Sequence, residues 1–231
     1  MSLNEDLQAD VKQIFNIAFK TRKGQKVPEP DDIQLGNDAV NIEGTVLYAD
    51  MDSSTALVDG YKDWFAAKVY KAYLRCAAKI IRAEGGVITS YDGDRIMAVF
   101  IGDSKNSTAA RVGLKINYAT AKIVSPAITK KYPKSKYTEV KQVVGIDTCE
   151  LFVARTGIRG SNDLVWVGHA ANYAAKLTEL SSATPTWITK AVYDRLVDKS
   201  KYSKGEDMWQ RKRWTQMDDQ IVYCSSYWWK V

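Results

Sequence analysis

Hydrophobic residues recur along this chain at two periods, and the change from one period to the other predicts the order of the elements. Spacings of three and four residues predict three helices, at residues 3–18, 61–83 and 108–124. Short apolar runs predict strands at residues 45–49 and 141–153, and two further strands within residues 87–100, on either side of residues 91–94. After the first helix the order is β-α-β-β-α-β, which predicts an α+β, ferredoxin-like fold with helices covering an antiparallel sheet.

The segment VITSYDGDRIMAVF, residues 87–100, is predicted to be a hairpin. Its Asp-Gly pair between alternating apolar residues is a turn signal, because glycine accepts the positive φ that a tight turn requires. Asp94 is a second carboxylate that the turn does not need, and Arg95 behind it either pairs with an acid or approaches a phosphate. The first strand also ends on a carboxylate, Asp50. Three hydroxyl residues follow it and are expected to face a ligand: Ser53, Ser54 and Thr55.

In such a sheet the first strand lies beside the hairpin, so Asp50 and Asp94 are expected to meet. Two carboxylates brought together repel one another unless a cation lies between them. Carboxylate oxygens are ligands that Mg²⁺ and Mn²⁺ prefer. Either aspartate alone is better explained by a turn than by a metal site, since aspartate commonly closes turns and hairpins. The pair in this element order favours a metal site.

The composition is that of an ordinary globular protein, with 231 residues of which 45% are hydrophobic and 26% charged. We predict an N-terminal helix and linker over residues 1–40, packed beside the main domain or across a dimer, and one main domain over residues 41–231. The acidic N-terminus is unlike a signal peptide, and no apolar run approaches the roughly 18 residues of a membrane span. A cytoplasmic protein without a membrane partner is therefore expected.

The net charge of +6 suits a polyanionic ligand but is also that of many soluble proteins. The densest basic run, Lys130–Lys136, contains proline and serine and is predicted to be a solvated loop. RNA binding there stays open as an alternative, but no RNA-binding motif supports it and no nucleic-acid partner is expected. Three widely separated cysteines and a single histidine, His169, argue against a zinc site and against Cys/His catalysis.

Four segments together resemble the signature segments of the class III nucleotidyl cyclase catalytic domain, the fold of adenylate and guanylate cyclases. In chain order they are TVLYADMDSST, GGVITSYDGDRIMAVF, VGIDTCELFVARTG and VWVGHAANYAAKL. The resemblance covers about residues 42–225. It implies a nucleoside triphosphate substrate and two metal ions per site, Mn²⁺ or Mg²⁺, bound by Asp50, Asp94 and the backbone carbonyl of Met51.

The resemblance also implies roles for two residues on a later helix. Asn172 would steady the ribose, and Lys176, on the same helix face, would stabilise the transition-state charge. The family has arginine at the position of Lys176. Lysine therefore supplies a compact ammonium charge in place of the planar guanidinium of arginine. Family members form head-to-tail dimers in which the aspartates of one chain face this helix of the other. A homodimer with two sites at the interface is therefore expected.

A basic residue near the carboxyl terminus binds the triphosphate in this family. The candidates are Arg211, Lys212 and Arg213, and we predict that Arg213 binds the triphosphate. The positions that select the base fall on Ser90 and Val165, and neither matches the pattern of adenine- or guanine-specific cyclases. Valine cannot hydrogen-bond a base edge, which leaves a purine amino group unpaired at a cost of roughly 1–3 kcal/mol. Tyr91 and Trp166 are bulky neighbours that narrow the pocket toward a smaller ring.

In its departure from the purine-selecting residues, the chain resembles the bacterial Pycsar antiphage cyclases, which make cyclic UMP or cyclic CMP. The resemblance implies that the product activates a separate effector in antiphage defence. Ser90 or Tyr91 could recognise either pyrimidine, and UTP is the expected substrate in preference to CTP. Two alternatives stay open. One is a catalytically silent nucleotide sensor of the same fold, motivated by Lys176 and by Cys149 in a turn that normally contains glycine. The other is a purine cyclase.

Overall fold

The computed structural model describes residues 2–231, which form two compact units. The first unit contains the residues up to Glu43 together with Glu150–Gly168, and the second contains Gly44–Cys149 and His169–Val231. The division into residues 1–40 and 41–231 stays a prediction. Over residues 2–231, none of the helices combines the length and hydropathy that a bilayer crossing requires.

Helices and strands alternate along most of the chain. The helices are α1 (Leu3–Asn16), α2 (Ser54–Gly60), α3 (Asp63–Ala83), α4 (Lys105–Ala119), α5 (Ser125–Lys131), α6 (His169–Leu177), α7 (Lys190–Tyr193) and α8 (Asp198–Lys201). The strands are β1 (Lys20–Lys23), β2 (Asp38–Met51), β3 (Val87–Asp92), β4 (Arg95–Phe100), β5 (Gln142–Ile158), β6 (Ser161–Val167), β7 (Thr186–Thr189), β8 (Tyr202–Ser203), β9 (Glu206–Asp207), β10 (Gln210–Trp214) and β11 (Gln220–Ser225).

The predicted α+β fold is confirmed. In the second unit the sheet order is β10-β11-β7-β5-β2-β4-β3, and the predicted β-α-β-β-α-β order is β2-α3-β3-β4-α4-β5. The pairs β2–β4 and β3–β4 are antiparallel, as expected. The pair β5–β7 is parallel, because α6 lies between these strands in the chain and returns it to run in the same direction. In the first unit, β1 pairs with the start of β2 and β6 pairs with the end of β5.

Two helical segments differ from the sequence prediction. Ser54 and Thr55, expected to lie in a ligand-facing loop, begin the short helix α2, which follows Ser53 in a left-handed conformation with φ of 61°. The helix expected to end at Val124 continues through a π-helical turn into α5. Hydroxyl groups bridge this wider turn, since Thr120 donates to the Ile116 carbonyl and Ser125 donates to the Thr120 carbonyl.

The sheet of the second unit buries both of its faces. One face packs on α3 and α4 through a large cluster that includes Leu47, Tyr73, Ile96 and Ile146. The other face packs on α6 through a smaller cluster that includes Val143, Leu177, Trp214 and Val222. Because side chains alternate along a strand, neighbours of these residues can be assigned to one face or the other. This alternation decides which residues share the face of α6.

Candidate active site

Asp50 reaches the α6 face of the sheet from the carboxyl end of β2. Leu47 and Ala49 belong to the cluster on the opposite face, so the alternation of β2 directs Asp50 toward α6. The Asp50 side chain is 18% exposed, so it is open to a ligand. The hydroxyl of Thr178, one residue beyond α6, donates to Asp50 Oδ2 over 3.5 Å. Asp50 therefore lies between the carboxyl end of β2, an inner strand of the sheet, and the end of α6.

Arg95 pairs with Asp50. Its Nη2 and Nε atoms donate to Asp50 Oδ2 over 2.6 Å and 3.0 Å, and its guanidinium lies 5.9 Å from the centre of the Tyr48 ring. The sequence left two roles for Arg95, and the structure shows the pairing with an acid. Charge-assisted bonds of this kind are stronger than neutral ones, so Arg95 holds the Asp50 carboxylate in place.

Asp94 follows the hairpin turn, in which Gly93 has φ of 59°. The register pairs Ala49 with Ile96, which brings the ends of β2 and β4 together. Burial raises the pKa of the Asp94 carboxyl and the negative charge of Asp50 raises it further, while a hydrogen bond from Ser54 acts in the opposite direction. The two aspartates that the sequence predicted to meet therefore lie within electrostatic reach of one another.

The Oδ2 atom of Asp94 is buried, and within residues 2–231 it has no hydrogen-bond partner. A buried acceptor without a partner is costly and calls for an explanation such as an ion. With Asp50 beside it, this oxygen fits a hard divalent cation. No group of three or more His, Cys, Asp or Glu side chains in residues 2–231 could hold a metal. The protein would therefore supply two carboxylates, and phosphate or water oxygens would complete the coordination, as is usual for Mg²⁺.

The loop after β2 presents backbone and hydroxyl groups near these aspartates. The Met51 side chain is 5% exposed and lies in the core, so any contact of Met51 with a ligand would have to come from its backbone. Ser53 donates to Asp52, and Ser54 donates to Asp94. Thr55 is exposed on the first turn of α2. Of the three hydroxyl residues that the sequence predicted to bind substrate, Ser54 contacts a proposed metal ligand.

Sequence reasoning missed Tyr73. This residue is fully buried on α3, and within the described chain its hydroxyl has no hydrogen-bond partner. Burial raises the pKa of Tyr73 well above its usual value, and the charges of Asp50 and Asp94 raise it further. In the sequence, Tyr73 appears only as one apolar position of a helix face. The sequence feature that could have singled out Tyr73 is its hydroxyl group. Phenylalanine would fill the same buried space without a polar atom.

Asn172 and Lys176 lie on the exposed side of α6. The buried side of this helix packs on β5 so closely that a Cβ atom on Gly145 would come 2.1 Å from the Ala174 carbonyl oxygen. Asn172 and Lys176 point the other way, into solvent, and Lys176 Nζ lies 3.5 Å from Met217 Sδ. The helix places these two residues together, on the side that faces away from its own sheet.

An Asp–His pair anchors the start of α6. His169 Nδ1 lies 2.7 Å from Asp147 Oδ2, and the other Asp147 oxygen accepts a hydrogen bond from Thr189. Asp147 is only 1% exposed. These contacts give His169 a structural role at the helix terminus, and they set the direction in which α6 presents Asn172.

The residues predicted to select the base lie in both units. Ser90 and Tyr91 are on β3, next to an irregularity in its pairing with β4, and Tyr91 is 56% exposed. Val165 and Trp166 are on β6, and Val165 is 40% exposed. Ser90 and Trp166 are half-buried, so each of the four side chains keeps some surface that a ligand could contact.

The basic residues of β10 divide between the two faces of the sheet. Trp214 packs on Tyr173 of α6 with ring centres 5.7 Å apart, and Lys212 is paired with Val222 of the same buried cluster. Alternation therefore puts Lys212 on the α6 face and puts Arg213 on the opposite one. The role of Arg213 stays a prediction, and this register makes Lys212 a competing candidate.

Comparisons with known proteins agree with this geometry. A uridylate cyclase from Xanthomonas perforans is 52% identical over 232 residues, and one from Burkholderia cepacia is 50% identical over 233 residues; each alignment covers 100% of both chains. Among solved structures, the guanylyl cyclase Cya2 is 19% identical with a TM-score of 0.68, covering 80% of this chain and 91% of that one. The adenylyl cyclase CyaB from P. aeruginosa is 16% identical with a TM-score of 0.64, covering 81% and 95%.

No family model matches the chain. The solved structures share its fold, and the full-length relatives share its sequence at a level that shows common family membership. The chain belongs to the class III nucleotidyl cyclases, in the group that contains these uridylate cyclases, and it is a nucleotide cyclase.

Proposed function

We propose that this protein converts UTP to 3′,5′-cyclic UMP and pyrophosphate at a site built from Asp50 and Asp94. The observation that carries the proposal is the buried, unpartnered Oδ2 of Asp94 beside the Asp50 carboxylate. The relatives named uridylate cyclase support UTP over CTP and over the purine nucleotides. CTP and purine cyclisation remain the competing outcomes of the test below.

Asp50, Asp94 and the Met51 carbonyl would hold two Mn²⁺ or Mg²⁺ ions. When bound, such ions lower the pKa of the ribose 3′-hydroxyl and neutralise the triphosphate. In the reaction a bond forms between O3′ and the α-phosphorus, and the bond from that phosphorus to the pyrophosphate oxygen breaks. The 3′-hydroxyl proton leaves to solvent. Ser54 keeps the Asp94 carboxyl turned toward the site by its hydrogen bond, and Arg95 does so for Asp50.

The ribose and the reacting phosphate need contacts that the aspartate side does not offer. Asn172 would hydrogen-bond the ribose, and Lys176 would stabilise the negative charge that develops on the α-phosphate. Both side chains point into solvent, away from the sheet that carries the aspartates. We therefore assign them to the site of a second copy, in a head-to-tail homodimer with two equivalent sites. Arg213 or Lys212 would bind the departing pyrophosphate.

Base choice would rest on Ser90, Tyr91, Val165 and Trp166. Ser90 can donate to or accept from the polar edge of uracil. Val165 offers no hydrogen bond, so a purine amino group placed against it would lose its partners. Tyr91 and Trp166 are large enough to limit the pocket to a single ring. These residue types support a pyrimidine nucleotide.

We extend the proposal to the cellular role that the resemblance to antiphage cyclases implies. The enzyme would act in the cytoplasm as a defence cyclase, and cyclic UMP would activate a separate effector protein. This part of the proposal rests on sequence resemblance. Infection of cells carrying the gene with or without Asp94→Asn, followed by nucleotide extraction, tests it directly, since only the unaltered enzyme should raise cyclic UMP.

The test of activity is incubation of the purified protein with UTP and Mn²⁺, with mass identification of the product. Cyclic UMP and pyrophosphate should appear in equal amounts, and Asp94→Asn should reduce the rate by at least about 100-fold, because each metal ligand contributes several kcal/mol to the transition state. Binding of Mn²⁺–UTP without any product would favour the silent sensor. The Arg95–Asp50 ion pair is the observation that keeps this second candidate open.

A dimer of two different variants tests whether the sites are shared. A copy carrying Asp94→Asn and a copy carrying Lys176→Ala, each inactive as a homodimer, should form one intact site when purified together through two tags. About half the activity per dimer should return for the doubly tagged fraction. Failure to recover any activity, with the mixed dimer confirmed by mass, would show that Asp94 and Lys176 act in the site of the same copy.

A further inference from the structure

A cleft of about 470 Å³ lies between the start of α3 and the segment that follows α5. We call it the aromatic cleft. Its lining residues are Tyr61, Lys62, Trp64, Phe65, Tyr132, Pro133, Lys134 and Ser135. Phe65 is buried, with 5% of its surface exposed, whereas Trp64 is 51% exposed. None of these residues belongs to the proposed catalytic site.

The rings of the cleft hold one another in place. Phe65 meets Tyr132 edge to face with centres 5.2 Å apart, and it stacks on Tyr61 at the same separation. Trp64 meets Phe65 edge to face at 6.1 Å. Exposed aromatic side chains that are already ordered are typical of the energetic centres of protein interfaces, because binding costs them little conformational entropy.

The rim of the cleft is basic. Lys62 and Lys134 are exposed at its edges, and Lys68 Nζ lies 4.8 Å from the centre of the Trp64 ring and 3.2 Å from Tyr132 Oη. The two contributing segments, residues 61–68 and 130–139, contain six lysines and two acidic residues, Asp63 and Glu139. A positively charged surface attracts and orients an acidic partner.

Two classes of acidic macromolecule could use such a surface, and the ring geometry favours one of them. Binding of a single-stranded nucleic acid requires free ring faces on which bases stack. Here Lys68 covers a face of Trp64, and the other rings pack against one another. An apolar side chain of a bound polypeptide does not require a free ring face and needs only a cavity to fill. The cleft therefore fits a polypeptide better than a nucleic acid.

We propose that the aromatic cleft binds an acidic segment of a protein partner. An aliphatic or aromatic side chain of that segment would fill the space beside Trp64 and Tyr132, and flanking carboxylates would pair with Lys62 and Lys134. The proposal is independent of the cyclase substrate.

A displayed library of random 12-residue peptides, selected on the full-length protein and depleted on the double variant Trp64→Ala/Lys134→Glu, provides the probe. Surviving peptides should combine several Asp or Glu residues with a large apolar residue. A synthetic peptide of the recovered sequence should bind at least tenfold more weakly to Trp64→Ala in calorimetry, and more weakly at high salt. Because Trp64 is half exposed, the variant is expected to fold, and its melting curve checks this.

Trp228→Ala is the matched control, since Trp228 is 47% exposed and Lys122 Nζ lies 5.5 Å from its ring centre. This variant should bind the peptide as the unaltered protein does. The proposal is overturned if no acidic consensus survives depletion, if Trp228→Ala weakens binding equally, or if a 12-nucleotide oligouridine binds through Trp64 in place of the peptides. It is also overturned if Trp64→Ala changes the oligomeric state in sedimentation, because the cleft would then be a contact between copies.

Discussion

Arg95 holds one carboxylate oxygen of Asp50 through two hydrogen bonds, from Nη2 over 2.6 Å and from Nε over 3.0 Å. The residue that we propose as a metal ligand is thus paired with an arginine from the neighbouring strand. A divalent cation must share this oxygen with Arg95 or displace it. The charge that orders Asp50 in the absence of a ligand therefore also opposes cation binding.

Arg95→Gln should tighten the binding of Mn²⁺. The substitution removes a positive charge at ion-pair distance from Asp50, an effect of about 1 kcal/mol after solvent screening, so the dissociation constant should fall roughly three- to tenfold. Electron paramagnetic resonance of free Mn²⁺, with a non-hydrolysable UTP analogue present, measures it. Arg75→Gln, on an exposed position of α3, is the control and should have no effect. Weaker binding by Arg95→Gln would show that ordering of Asp50 outweighs charge repulsion.

The metal-free protein should become more stable when Asp94 is replaced by asparagine. Burial and the Asp50 charge raise the pKa of Asp94, so the stability associated with its protonated form is present at low pH and lost as pH rises through the folded pKa. Asp94→Asn should therefore have a higher melting temperature than the unaltered protein at pH 8. The difference should shrink as the pH falls toward 4. A lower melting temperature at pH 8 would contradict this.

Lys176 should affect the rate of the reaction more than the binding of substrate. Lys176→Ala should lower kcat by about 100- to 1,000-fold with little change in KM, because the charge it stabilises develops in the transition state. Lys176→Arg restores a cation and should recover most of the rate. Since Lys176 is exposed, both variants should melt as the unaltered protein does. A change confined to KM would assign Lys176 to ground-state binding.

The register of β10 leads to a direct comparison of two basic residues. Lys212 lies on the sheet face that packs on α6, and Arg213 lies on the other face. Lys212→Ala should raise KM for UTP about tenfold, the effect of losing one charge-assisted contact to phosphate. Arg213→Ala should change KM less than twofold. Steady-state kinetics of the two variants decide the matter, and the reverse result would return the triphosphate contact to Arg213.

Much of the fold was predictable because hydrophobic period and turn chemistry are local properties. The spacing of apolar residues on α3 and the Asp-Gly turn before Asp94 each specify their element within a few residues. The apolar run at residues 45–49 located only the second half of β2, which begins at Asp38. The meeting of Asp50 and Asp94 followed from element order alone, since only a few strand arrangements suit that order.

The remainder depended on contacts between distant parts of the chain. Helix α2 has one buried residue, Leu57, so its sequence carries almost no helical period. The pairing of Arg95 with Asp50 depends on the register between two strands. The pattern of apolar residues does not fix that register to within one residue. Tyr73 looked like any core position of α3, because the missing partner of its hydroxyl is visible only in three dimensions.

Competition among the four nucleoside triphosphates tests the central claim most directly. The purified protein is incubated with equimolar UTP, CTP, ATP and GTP and with Mn²⁺, and all cyclic products are quantified by mass in one reaction, with Asp94→Asn in parallel. We predict cyclic UMP in at least tenfold excess over each other product, and no product from the variant. A purine cyclic nucleotide as the main product, or activity that survives Asp94→Asn, would contradict the account.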